Sequence, residues 1–185
     1  GILSAGNRIM LKPSEFTPSS SELTKNMINE YFDETEIAVF TGDPSIGAAF
    51  SSLAFDHLLF TGGTEIAKHV MKAAAENLVP LTLELGGKSP IILTEDCDLG
   101  AAAAYAALNI TSNTGQTCTA LTRMIAPQSR YEEIVQLVKA EFEKVTIGSP
   151  MDATTDMGPM CSSSQLNTVK SYIEKGIAEG ARLVT

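Results

Sequence analysis

Apolar and polar positions in the first half of the chain alternate between two periods. Asn7–Lys12 carries a compact apolar run, which predicts a short buried strand. Pro18–Tyr31 opens on Ser, Thr and Pro and repeats apolar residues at helical spacing (Leu23, Met27, Ile28), which predicts a helix. Glu36–Phe40 is apolar and β-prone and stops at Thr41-Gly42-Asp43-Pro44, a turn signal. A short helix is expected over Ser45–Ser52 and a strand over His57–Phe60, ended by Thr61-Gly62-Gly63-Thr64. Glu65–Asn77 reads as a long alanine-rich helix, and Leu81–Leu85 returns to strand.

The alternation resumes after Gly86-Gly87. Pro90–Thr94 and Arg123–Ala126 predict strands, and Leu99–Thr111 and Tyr131–Lys144 predict helices. Thr146–Pro159 reads as an irregular loop and Ser164–Gly176 as a helix, with Arg182–Val184 opening a further strand. Strands that alternate with helices imply an α/β fold with mainly parallel open sheets flanked by helices. The paired glycines suggest a crossing between domains, 1–86 and 87–185. Both ends look cut, because each lies beside or inside an expected strand. In such folds ligands gather beyond the carboxyl ends of the strands. Lys12 to Glu15, Thr61 to Thr64 and Glu84 all fall at such ends.

Composition narrows the classes. A chain of 185 residues can bury a sizeable core as one domain or parts of two. The formal net charge of −9 argues against nucleic acid as a partner, since phosphate binding draws on clustered Lys and Arg. No apolar run reaches the ~18 residues of a membrane span, and residues 1–10 lack a signal-peptide layout. Cys97, Cys118 and Cys161 show neither zinc nor disulfide spacing, so no metal is expected and a reducing, cytoplasmic setting is.

Cys118 follows the small polar run Asn113-Thr114-Gly115-Gln116-Thr117. A thiol there could be a nucleophile, with its pKa lowered by a helix N-terminus or a nearby positive dipole, or a structural cysteine. Cys97 and Cys161 lack that context and read as structural. Glu84 lies between apolar neighbours, as though in a buried strand end. Burial would raise its pKa and suit it to general acid or base work, while an ion pair with Lys88 is the plainer alternative. Lys12-Pro13-Ser14-Glu15 could grip a ribose through its vicinal hydroxyls, or be an ordinary charged loop. Thr61-Gly62-Gly63-Thr64 could bring backbone N–H groups close to a phosphate, or simply join a strand to a helix. His57 and His69 lie far from Cys118 in sequence, and a Cys–His hydrolase dyad is the lesser reading.

Taken together, these segments resemble the aldehyde dehydrogenase superfamily. The matching stretches are Ala5-Gly6-Asn7, Leu11-Lys12-Pro13-Ser14-Glu15, Phe60-Thr61-Gly62-Gly63-Thr64, Leu83-Glu84-Leu85-Gly86-Gly87-Lys88-Ser89-Pro90 and Gly115-Gln116-Thr117-Cys118, in that order. Asp56–Gly62 and Asn77–Lys88 look like the branch that contains coniferyl aldehyde dehydrogenases. The resemblance implies a Rossmann-type cofactor domain over 1–86 and a catalytic domain over 87–185, both partial. It also implies the site. Cys118 would attack an aldehyde to give a thiohemiacetal, hydride transfer to a nicotinamide would leave a thioester, and Glu84 would activate the hydrolytic water. The Cys118 backbone N–H would steady the oxyanion. Lys12 and Glu15, with Ser14 between them, would hold the adenosine ribose. Gly47 would let the adenine side of the cofactor approach, with Ile66 beside the adenine. Gly62 and Gly63 would approach the pyrophosphate, and Thr61 with the Leu85 backbone would steer the nicotinamide.

Two positions depart from the pattern: Gly63 stands where serine is usual and Ala67 where glycine is frequent. The oxyanion-hole asparagine, the second glutamate motif and the oligomerisation arm would fall outside residues 1–185. The expectation is thus a central piece of a homo-oligomeric enzyme (dimer or tetramer), inactive alone. NAD is favoured over NADP, because Glu15 would repel a 2′-phosphate. The alternatives are a non-catalytic nucleotide-binding piece and a CoA-acylating enzyme, in which CoA would take the acyl group in place of water.

Overall fold

The computed structural model describes all 185 residues. They form two compact units, Gly1–Leu85 and Gly86–Thr185. No helix is long and apolar enough to cross a membrane.

The first unit runs β1 (Ile9–Leu11), α1 (Pro18–Tyr31), β2 (Ile37–Val39), α2 (Pro44–Ser51), β3 (Leu58–Gly62), α3 (Thr64–Ala75) and β4 (Leu81–Leu85). β1 pairs with β2 and β3 with β4, each in parallel. β2 is buried along its whole length, as suits a strand covered on both faces. Leu58, Val70, Ala74 and Val79 form the core between β3 and α3, and Phe50, Phe55, Phe60 and Leu81 pack around them. Asp43 caps α2 by accepting from the N–H of Ser45 (2.8 Å) and of Ile46 (3.4 Å). α3 closes in a Schellman pattern. Leu78 donates to Ala75 O and Val79 to Ala74 O, both at 3.1 Å, with Leu78 left-handed at φ 55°.

The second unit runs β5 (Ser89–Ile92), α4 (Leu99–Thr111), β6 (Leu121–Ile125), α5 (Tyr131–Phe142) and α6 (Ser163–Ala178). β5 and β6 pair in parallel with a register shift between Ser89 and Pro90. Proline lacks the N–H a ladder needs, so the irregularity falls where the strand can tolerate it. Small side chains let α4 press against its neighbours: Ala103 joins Leu93, Leu99 and Ile134 in the core, and Cys97, Met124, Leu137 and Val138 surround them. The Arg130 guanidinium ties this core's edge together, donating to the carbonyls of Glu95 and Cys97 at 3.0 Å each.

The paired strands form three separate two-stranded parallel ladders, in keeping with the expected mainly parallel open sheets. One expectation needs correction. Residues 181–185 form no strand, because no strand offers them a ladder partner. The expected loop over Thr146–Pro159 is irregular apart from one bridge between Ile147 and Met157.

Candidate active site

In the first unit the loop after β1 gathers charge. Lys12 Nζ donates to Glu15 Oε2 at 2.8 Å, with the lysine side chain only 11% exposed. That hydrogen bond, helped by the backbone N–H of Glu15, holds the Glu15 carboxyl below its usual value. Ser14 is occupied locally: its hydroxyl accepts from Phe16 N–H at 3.2 Å, and its carbonyl accepts from the buried Ser21 hydroxyl at 3.1 Å. Gly47 in α2 faces the lysine, for a Cβ there would lie 3.7 Å from Lys12 Cε and 3.9 Å from Nζ. Lys12, Glu15 and Gly47 therefore meet in one place. Asp43 stands close enough to act on the Glu15 carboxyl through its charge, a neighbour that sequence reading treated only as part of a turn.

The ends of β3 and β4 bring a second group together. Thr61 stands opposite Glu84 in the parallel register, and Gly62 opposite Leu85. The strand continues through Gly62, so only Gly63 of the expected turn is non-regular, and it caps α3. A Cβ on Gly63 would meet nothing within 4 Å, leaving open space before the helix start. At Gly62 a Cβ would fall 2.5 Å from the Phe60 ring, so packing alone already favours glycine there. Ile66, in the first turn of α3, is exposed. Glu84 is also exposed, which corrects the expectation of a buried strand end. Successive strand residues face opposite ways, so apolar neighbours at 83 and 85 put residue 84 on the other face. Within its unit the Glu84 carboxylate has no hydrogen bond or ion pair. His57 is engaged with Thr82, Nε2 to Oγ1 at 2.8 Å.

Cys118 lies in the second unit, exposed on the Thr117–Ala120 turn that leads into β6. The turn is closed by Ala120 N–H donating to Thr117 O at 3.1 Å. Cys118 does not begin a helix. It follows the end of α4 and a short 3₁₀ segment, Ser112–Gly115. Leu121 N–H donates to Asn109 Oδ1 at 2.8 Å, fixing the start of β6 to α4. Gly87 lies against the same turn: a Cβ there would come within 3.2 Å of the Cys118 carbonyl oxygen. Arg123 Nε donates to Lys88 O at 2.7 Å and holds that glycine segment beside β6. Cys97 is half-buried at the α4–α5 core, whereas Cys161 is exposed and its N–H donates to Gln116 Oε1 at 2.9 Å.

Comparison with known proteins covers the chain from end to end. The model of the aldehyde dehydrogenase family matches residues 1–185. The "Probable coniferyl aldehyde dehydrogenase" of Caulobacter vibrioides is 48% identical, covering 100% of this chain and 38% of that protein. The coniferyl aldehyde dehydrogenase of a Pseudomonas strain is 42% identical with the same coverage. A cysteine-to-alanine mutant of aldehyde dehydrogenase C from Pseudomonas syringae, solved with NAD+ and octanal, superposes with a TM-score of 0.94 at 33% identity. It covers 99% of this chain and 38% of that one. The chain thus spans 38% of the length of these relatives. It belongs to the aldehyde dehydrogenase family.

Proposed function

We propose that the protein carrying this chain oxidises an aldehyde to a carboxylic acid, using Cys118 as nucleophile and NAD as hydride acceptor. The observation that carries this reading is an exposed Cys118 on a turn pinned at both ends and backed by Gly87. An exposed thiol can meet a carbonyl carbon, and a fixed backbone can aim it.

Cys118 Sγ adds to the aldehyde carbon, and the carbonyl oxygen takes up the negative charge. The Cys118 backbone N–H steadies that oxygen. NAD, held by the first-unit residues Lys12, Glu15, Gly47, Gly62 and Gly63, would supply the acceptor for the hydride on that carbon. The acyl group then remains on Cys118 as a thioester. Glu84, exposed to solvent, takes a proton from a water that attacks the acyl carbon, releasing the acid and the thiolate.

The residues of the first unit suit a dinucleotide. Gly47 leaves room beside Lys12, and the Lys12–Glu15 pair offers a donor and an acceptor to a ribose. Ser14 keeps that loop folded. Gly63 leaves the start of α3 open for a pyrophosphate, with Gly62 preceding it and Ile66 exposed for an adenine face. Thr61 and Leu85 at the strand ends would border the nicotinamide. A Glu15 carboxyl that stays ionised disfavours a 2′-phosphate, which supports NAD over NADP. Identity to proteins named coniferyl aldehyde dehydrogenases supports an aromatic aldehyde as substrate. Because the chain spans 38% of its relatives, we assign turnover to the intact protein rather than to these residues alone.

The test is reduced-nicotinamide absorbance from the intact protein given NAD+ and coniferyl aldehyde. Cys118→Ser should lower the rate by roughly a thousandfold or more, as loss of a nucleophile does. An unchanged rate in Cys118→Ser rejects the reading.

A further inference from the structure

The segment that delivers Cys118 is held in an unfavourable backbone conformation. Asn113 (φ 50°, ψ 33°), Thr114 (φ 57°, ψ 34°) and Gly115 (φ 70°) are left-handed in succession. Glycine accepts this readily, asparagine at some cost, and a β-branched threonine is an outlier. Such a backbone persists only where its surroundings over-determine it.

Those surroundings come from far along the chain. Thr114 Oγ1 donates to Gly158 O at 3.0 Å, and Cys161 N–H donates to Gln116 Oε1 at 2.9 Å. The other end of the Gln116 amide closes the loop on itself, with Nε2 donating to Asn113 O at 3.0 Å. Asn113 Nδ2 returns a bond to Gln116 O at 3.1 Å. Reversing the Gln116 amide would set its NH2 against the Cys161 N–H and its oxygen against the Asn113 carbonyl. Only a side chain with one acceptor and one donor at this reach serves both partners.

We infer that Gln116 and Thr114 are positioning residues, which clamp the Cys118 turn to the Gly158–Cys161 segment and so aim the thiol. The consequence for turnover rests on Cys118 being the nucleophile, as proposed above. On the far side the turn is held by the Asn109 bond to Leu121, so the clamp is its long-range anchor on the near side. Neither residue needs to touch the substrate for its loss to be felt, because small misplacements of a reacting group slow the chemical step.

The experiment compares Gln116→Met, Thr114→Val and Thr114→Ser in the intact protein, with three readouts. These are kcat and KM for aldehyde oxidation, the iodoacetamide alkylation rate of Cys118 across pH resolved by peptide mass, and hydrogen exchange at the Cys161 amide. Gln116→Met and Thr114→Val should each lower kcat roughly ten- to a hundredfold with KM within about twofold. Both should shift the Cys118 alkylation profile, and Gln116→Met should speed Cys161 amide exchange. Thr114→Ser keeps the hydroxyl and should restore the alkylation profile and kcat. If folded Gln116→Met and Thr114→Val both leave the Cys118 alkylation profile unchanged, the inference is overturned. If alkylation responds as expected but aldehyde oxidation never depends on Cys118, the clamp stands and the proposed function fails.

Discussion

Replacing Gly115 with alanine should destabilise the second unit, and the structure gives both the sign and the size. Gly115 has φ +70°, where an L side chain costs about 1–2 kcal/mol. Its new Cβ would lie 3.1 Å from the Ile110 carbonyl oxygen, a helix backbone atom with little freedom to yield. Against this, alanine restricts the unfolded chain and returns about 0.4–1 kcal/mol. With the close contact added, the net loss should be on the order of 1–2 kcal/mol. Gly100, near the other end of the same helix segment, is the matched control. A Cβ there would lie 3.4 Å from Asp98 Oδ1, an ordinary contact with a side-chain atom, and no positive φ opposes it. Gly100→Ala should therefore be neutral or stabilise by up to about 1 kcal/mol. Urea unfolding followed by far-UV circular dichroism reads both variants. With m of about 1–3 kcal/mol/M, the Gly115→Ala midpoint should fall by roughly 0.3–2 M, while that of Gly100→Ala holds or rises. A Gly115→Ala midpoint equal to or above wild type would refute the reasoning, since both the left-handed strain and the contact would then be wrong.

Other outcomes follow from the same physics. Leu78 is left-handed and 90% exposed at the end of α3, so Leu78→Gly should stabilise by about 1 kcal/mol, read as a raised melting temperature. Asp98 caps α4 by accepting from Ala101 N–H at 3.0 Å, and Asp98→Ala should cost about 1 kcal/mol in urea unfolding. Glu15 is held below the usual 4.5 by Lys12 and its own backbone N–H. A carboxylate with a lowered folded pKa contributes stability that is complete above 4.5 and fades as pH falls through the folded value. The stability gap between wild type and Glu15→Gln should accordingly be constant near neutrality and shrink below pH 4.5, as melts across pH would show.

Much of this architecture is legible in the sequence because local signals agree. Pro18 presets the first turn of α1, and the helix spans the expected Pro18–Tyr31. Asp98 and the following alanines set α4 over Leu99–Thr111, again as the pattern predicts. The candidate site is legible only in part. Glu84 between leucines looks buried to a reading that weighs neighbours, yet the two-residue period of a strand turns it outward. The surroundings of Cys118 are less accessible still. Its anchors at Asn109, Gly158 and Cys161 are chosen by tertiary packing, and no local spacing announces them. Gly87 reads in the sequence only as part of a crossing between domains; that a side chain there would press on the Cys118 carbonyl is visible only in the fold.

The central claim is that Cys118 carries the acyl group and Glu84 brings in the water that removes it. Peptide mass spectrometry of intact Glu84→Gln, incubated with NAD+ and coniferyl aldehyde, tests both halves at once. The account predicts an accumulated acyl adduct on Cys118, with acid release slowed. An unmodified Cys118 together with wild-type acid release would contradict it.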